Sequence, residues 1–84
     1  MQHQEYPRNN LLRQELSPRQ LEILSATAQG KSDKRIAYEL GISTETIKFH
    51  QAVIREKLGA NNRTHAVVKA LSWGVLNLGD LGGE

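Results

Sequence analysis

The side chains able to do covalent or metal chemistry are few in this chain, and their spacing does not suit it. The 84 residues contain no cysteine, which removes disulfides, thiolate metal ligands and cysteine nucleophiles together. His3, His50 and His65 stand far apart in sequence, and none has a second ligand at metal-binding spacing. The carboxylates are not paired as acid–base catalysis requires, and so short a chain builds too small a core to enclose a reaction pocket. Enzymatic activity, a bound metal and a cofactor are therefore not expected. What the sequence concentrates is positive charge. Between Lys31 and His65 stand Lys31, Lys34, Arg35, Lys48, Arg55, Lys57 and Arg63, against Asp33, Glu39, Glu45 and Glu56. The whole chain carries only +2, and Asp80 and Glu84 make its end acidic. The excess is thus local, a footprint of the kind that attracts a polyanion.

The elements that must hold these charges read as helices. Ser17, with Pro18 at the first helical position and Gln20 three residues after the cap, forms a Ser-x-x-Gln capping box. Leu21, Leu24 and Ala28 follow at helical spacing, with Ile23 and Thr27 alongside, and Gly30 ends the run. Ser32 opens a second helix from Asp33 to Leu40, whose apolar face is Ile36, Ala37 and Leu40. Gly41 turns the chain and Ile42 anchors it. Ser43 opens a third helix, Thr44 to Leu58, about 22 Å long. It carries Ile47, Ile54 and Leu58 on one stripe, with His50 and Gln51 flanking. Gly59 ends that helix, and Asn61 and Asn62 are caps for a fourth from Arg63 to about Leu76. No segment alternates as a strand does.

The expected fold is all-α: a compact four-helix domain over residues 16–78, with flexible polar tails at 1–15 and 79–84. Tyr6, Leu11 and Leu12 are the only apolar anchors in the first tail. No run approaches the ~18 apolar residues of a membrane span, and the start lacks a signal-peptide pattern. A cytoplasmic protein with no membrane partner is expected.

One run is more specific. In Ile36-Ala37-x-x-Leu40-Gly41-Ile42-Ser43-x-x-Thr46-Ile47 a small residue permits close helix approach, glycine makes a tight turn, and Ile42 and Ile47 lock the two helices together. That is the pattern of a helix-turn-helix, in which the second helix of the pair presents its outer face to the DNA major groove. Leu40 and Ile47 are expected to bury between the paired helices.

From Leu16 to Leu76 the chain resembles the LuxR-type (GerE-type) DNA-binding domain of bacterial transcription regulators. The resemblance is carried by Leu16-Ser17-x-Arg19-x-x-Glu22-x-Leu24, Ala28-x-Gly30-Lys31-Ser32-x-Lys34-x-Ile36-Ala37, Leu40-x-Ile42-Ser43-x-x-Thr46-Ile47-Lys48-x-His50, Ile54-x-x-Lys57-Leu58-Gly59 and Asn62-Arg63-x-x-Ala66-Val67-x-x-Ala70. The stretch from Lys57 to Ala70 further resembles the autoinducer-responsive branch, which brings quorum sensing into view. The resemblance implies a third helix that reads DNA and a fourth that dimerises. Carried over by position, the DNA-binding residues are Ser43, Thr44, Glu45, Thr46, Lys48, Phe49, Ala52, Arg55 and Arg63. The implied dimer seam is Thr64, Val68, Leu71, Ser72 and Val75. The implied partner is double-stranded DNA bearing an imperfect inverted repeat, taken by a homodimer formed at least on DNA, with RNA polymerase as a further partner and the nucleoid as the place of action.

Relatives often carry a second basic residue where Ala52 stands and an aliphatic one where Phe49 stands, so a known operator does not transfer. Lys48 can reach a guanine edge or a phosphate, whereas Phe49 and Ala52 offer only apolar contact, as with a thymine methyl. Ser43, Thr46 and the free N–H groups at the start of the third helix suit a phosphate.

Several residues also carry plainer readings. Arg63 is equally a phosphate contact or a packing residue, and His50 is structural or phosphate-near. Arg19 and Glu22 are a surface pair or a buttress for helix packing, and Trp73 falls in or near the core. Two other functions compete with transcription control by DNA binding. One is an interaction module that heterodimerises with a full-length regulator and blocks it. The other is a sigma-factor-like promoter-binding region, against which the fourth helix argues.

Overall fold

Each of the four helices described below begins at a side chain that accepts a backbone N–H left unpaired by the first turn. A computed structural model describes residues 15–77 and residue 79. Among them are four helices, α1 (Pro18–Ala28), α2 (Asp33–Leu40), α3 (Thr44–Leu58) and α4 (Arg63–Ser72), and no strand. Ser17, Ser32, Ser43 and Asn62 are the caps, accepting from the N–H groups of Gln20, Arg35, Thr46 and His65. At α1 the capping box closes reciprocally, because the Ser17 N–H donates to Gln20 Oε1 at 3.1 Å. The tails expected at 1–15 and 79–84, with Tyr6, Leu11 and Leu12, lie almost wholly outside the described residues.

The helix ends share one device. At Gly41 (φ 71°) the Ile42 N–H reaches the Ala37 carbonyl at 3.1 Å and the Gly41 N–H reaches Tyr38 at 3.3 Å. This paired closure requires a left-handed residue, where glycine has no Cβ to clash. It sets the turn between α2 and α3. The same pair of bonds closes α4 at Gly74 (φ 76°), from Val75 N–H to Ala70 and from Gly74 N–H to Leu71. The fourth helix therefore stops at Ser72, well short of the expected Leu76. The turn then folds Val75 and Leu76 back into the core, with 0% and 2% of their surface exposed.

The core gathers one stripe from each helix around α3, which packs against all three others. Ile47, Ile54 and Leu58 are buried as their spacing predicts. On α1 the buried stripe is Gln20, Ile23, Leu24 and Thr27, so Leu21 and Ala28 pack only at its edge. Leu40 and Ile42 are half-buried against the same cluster. The expectation that Leu40 buries as fully as Ile47 is corrected: it ends α2, where one side of the helix already meets solvent. Among the described residues no helix is long and apolar enough to cross a membrane.

Two substitutions test this architecture. A Cβ at Gly41 meets nothing within 4 Å, so Gly41→Ala carries only backbone strain and should cost about 1–2 kcal/mol. Ile47→Ala should cost about 2–5 kcal/mol by emptying a fully buried site, and the half-buried Leu40→Ala less. Urea unfolding of the three variants checks that order.

Candidate nucleic-acid interface

The inner face of α3 is held by polar groups as well as by packing. Gln51 sits on the buried stripe, 3% exposed, and its side-chain amide donates to Thr27 Oγ1 of α1 at 2.8 Å and to Asp33 Oδ1 of α2 at 3.2 Å. Thr27 passes its own proton to the Ile23 carbonyl at 2.8 Å. Asp33 Oδ1 also accepts from Arg63 Nη2 of α4 at 2.8 Å. One connected set of bonds thus joins all four helices through a side chain of α3.

A second set secures the other flank of α3. Gln20 Oε1 accepts from the Ser17 N–H and from Lys57 Nζ at 3.0 Å, which turns its amide nitrogen toward His50 Nδ1 at 3.3 Å. The amide nitrogen can only donate, so the contact is made where His50 Nδ1 is the acceptor, and it ties the half-buried His50 ring to α1. Lys57 also donates to the Glu15 carbonyl at 2.5 Å. Past the end of α3, Lys69 of α4 donates to the carbonyls of Leu58 and Gly59 at 3.1 and 2.9 Å. There its charge faces the negative end of the helix dipole. Its ammonium also lies 5.0 Å from the centre of the Trp73 ring.

With Ile47, Gln51, Ile54 and Leu58 turned inward, helical spacing turns Glu45, Lys48, Phe49 and Ala52 outward, and all four are exposed. Phe49 is 64% exposed, its ring edge-on to His50 with centroids 5.7 Å apart. Lys48, Ala52 and Arg55 follow one another at i, i+4 and i+7, with Arg55 half-buried. At the start of the helix Ser43 caps Thr46 N–H at 3.0 Å, and the two hydroxyls lie 2.9 Å apart, exposed, with Thr44 half-buried beside them.

The basic residues divide into two groups. Lys31 and Arg35 both bind Glu39, at 2.9 and 2.6 Å. Lys31, and then Arg35, hold the Glu39 carboxyl below the usual carboxylate range. A lowered carboxyl stabilises the fold above its ordinary value, and that contribution disappears as acid protonates the group. Arg63 is committed to Asp33, and Lys57 to Gln20 and the Glu15 carbonyl. Among the described residues Lys34, Lys48 and Arg55 have no such partner. Arg63, read from sequence as either a contact or a packing residue, is ion-paired to Asp33 with its side chain 40% exposed. Arg19 and Glu22 form a surface pair at 3.2 Å.

The residues expected at a seam on α4 separate. Val68 is 53% exposed, Thr64 and Ser72 are exposed, and Leu71 is half-buried against the core. Val75 does not belong with them. It is fully buried, because Gly74 reverses the chain before the helical spacing from Val68 and Leu71 can carry it outward. Trp73 packs partly buried against the core. Sequence reasoning placed Gln51 beside the apolar stripe without its bonds, and it missed Gln20 and Lys69 as anchors of α3. The capping box marks Gln20, but its reach to His50 and Lys57 is tertiary. Among the described residues no cluster of His, Asp and Glu could hold a metal ion.

The model of the family described as bacterial regulatory proteins, luxR family (GerE), matches residues 14–70. The chain is 47% identical over 66 residues to the HTH-type quorum sensing-dependent transcriptional regulator RpaR of Rhodopseudomonas palustris, covering 79% of this chain and 27% of that protein. It is 41% identical over 64 residues to the transcriptional regulatory protein YdfI of Bacillus subtilis, covering 76% of this chain and 30% of that protein. To the transcriptional regulatory protein FixJ of Rhizobium meliloti it is 41% identical over 61 residues, covering 73% of this chain and 30% of that protein. The matched stretch thus spans less than a third of each of these relatives.

The polar seat of α3 makes a direct prediction. Asp33→Ala strips one acceptor from the Gln51 amide and leaves Arg63 without its partner. It should cost about 1–3 kcal/mol. Glu22→Ala removes only an exposed pair and should change stability by less than about 0.5 kcal/mol. Chemical denaturation of both variants measures the contrast.

Proposed function

The chain belongs to the luxR family of bacterial regulatory proteins, and from that membership we propose that it is the DNA-binding module of a transcription regulator, with α3 entering the major groove. The observation that carries this reading is the outward stripe of α3. Lys48, Phe49 and Ala52 stand exposed on a helix whose opposite face is locked to the rest of the domain. A groove-reading helix needs both properties, since side chains discriminate bases only if the helix axis is fixed.

In this reading Lys48 donates to a guanine edge or a phosphate, and Glu45 accepts from a cytosine amino group. Phe49 and Ala52 supply apolar contact to thymine methyls. Ser43, Thr44 and Thr46, with the free N–H groups opening α3, hold a phosphate, and Arg55 holds another further along the helix. Arg63 acts indirectly, through Asp33, to keep α3 in place.

Thr64, Val68 and Ser72, with the edge of Leu71, form the seam for a second copy. Two copies related by a two-fold axis would set their α3 helices about 10 base pairs apart on an inverted repeat. The signal that such a regulator obeys, quorum-dependent or otherwise, would be received outside this module, which works in the bacterial cytoplasm on the nucleoid.

Titration against a duplex selected from a random pool tests the reading. Lys48→Ala should weaken specific binding by about 1–3 kcal/mol with helix content unchanged. Val68→Glu should weaken binding to the full repeat far more than to a half-site. Arg63→Ala should lower stability yet leave the salt dependence of binding as in wild type, because it removes no phosphate contact. Wild-type protein that binds no duplex, or a Lys48→Ala variant of unchanged affinity, overturns the assignment of α3.

A further inference from the structure

Resting on that assignment of α3, we propose that His50 is a positioning residue for Phe49, and that it holds the Phe49 ring for base contact only while its own imidazole is neutral. Phe49 is 64% exposed on the outward stripe. A ring free to turn there about its side-chain bonds would read no base reproducibly. Among the described residues the ring it meets is that of His50, edge-on with centroids 5.7 Å apart.

His50 is in turn held from α1. The Gln20 amide nitrogen lies 3.3 Å from Nδ1, and the amide cannot turn round. Its oxygen already accepts from the Ser17 N–H at 3.1 Å and from Lys57 Nζ at 3.0 Å, so reversing it would set the amide protons against two donors. Only 7% of Gln20 is exposed, which leaves little water to replace either partner. A fixed donor therefore faces Nδ1, and an Nδ1 that carries a proton has nothing to offer it.

The ring's contacts lie on α1 and on α3 itself. The charged groups on that flank are Lys57 of α3, Arg19 and Glu22 of α1, and Glu15 ahead of α1. Arg19 and Glu22 are paired with each other at 3.2 Å, and Glu15 offers Lys57 its backbone carbonyl. Among the described residues no carboxylate pairs with the His50 ring to stabilise an imidazolium. A second proton on the ring thus cuts its tie to Gln20, and Phe49 loses the edge that fixes it. The other described imidazole, His65, accepts from the Asn61 N–H at 3.0 Å at the start of α4, so its titration acts on a different helix.

The test compares affinities for the selected duplex and a scrambled duplex of equal length at about pH 7.5 and about pH 5.5, either side of the ordinary imidazole transition. Circular dichroism at both values verifies that each protein is folded. In the wild type the ratio of selected to scrambled affinity should fall about three- to tenfold in acid, the worth of one positioned aromatic contact. His50→Asn gives Gln20 an amide oxygen that does not titrate, so its ratio should be the same at both values. Gln20→Glu replaces the donor by an acceptor that a protonated Nδ1 can serve, so its ratio should not fall. Phe49→Ala should start from a lower ratio and show no further loss, because the ring being positioned is gone. A wild-type ratio indifferent to pH, while Phe49→Ala still lowers it, overturns the role of His50 and leaves the α3 reading standing. An equal fall in His50→Asn or in Phe49→Ala overturns it as well, since the titrating group or the ring acted on would lie elsewhere. Wild-type protein that binds no duplex at either value overturns this role and the α3 reading together.

Discussion

The side-chain amide of Gln51 is the constraint on which the rest of this domain depends. An amide has two protons to donate, and burial leaves no water to take them. Here both find oxygen, on Thr27 of α1 and Asp33 of α2. Rotating α3 about its axis would break both bonds and expose Ile47 and Ile54, which are fully buried. Apolar packing alone tolerates sliding and small rotations, because a methyl group fits many neighbours nearly as well. A buried amide with two fixed acceptors does not. Asp33 extends the constraint to α4 by accepting from Arg63, so a single orientation of α3 satisfies polar groups on three other helices.

That arrangement divides the positive charges among the described residues into those bound within the fold and those left open to solvent. Lys31, Arg35, Lys57, Lys69 and Arg63 serve the fold: two bind Glu39, one binds Asp33, and two donate to side-chain or backbone oxygens next to α3. Lys34, Lys48 and Arg55 stay available, and all three lie on or beside the helix proposed to read DNA. A modest net charge is sufficient for the proposed role, in which few charges would meet the duplex and each would be positioned by the fold.

Helix starts and ends were legible in the sequence because each depends on one local residue type. Ser17, Ser32 and Ser43 cap where they were read, and Gly30, Gly41 and Gly59 close their helices with positive φ. Gly74 carried the same signal, but the apolar residues on either side suggested a continuing helix, which put Val75 on the wrong surface. The outward position of Lys48, Phe49 and Ala52 followed from helical spacing alone. The roles of Gln51, Gln20, Lys69 and Arg63 did not, because each is decided by a partner at least ten residues away. Local patterns carry no information about which oxygen a distant helix will present. For the same reason the basic residues could be counted in advance but not sorted into committed and free.

The most direct test of the central claim is the sequence discrimination of a Gln51→Leu variant, measured as the ratio of its affinities for a selected and a scrambled duplex. Leucine keeps the apolar part of the stripe and removes only the two bonds, leaving Lys48, Phe49 and every charge in place. Loss of the fixed setting of α3 should lower that ratio by about tenfold or more, as a mismatched base pair does, while affinity for the scrambled duplex and its salt dependence stay as in wild type. A folded Gln51→Leu protein with undiminished discrimination would contradict the claim that this amide sets the reading helix.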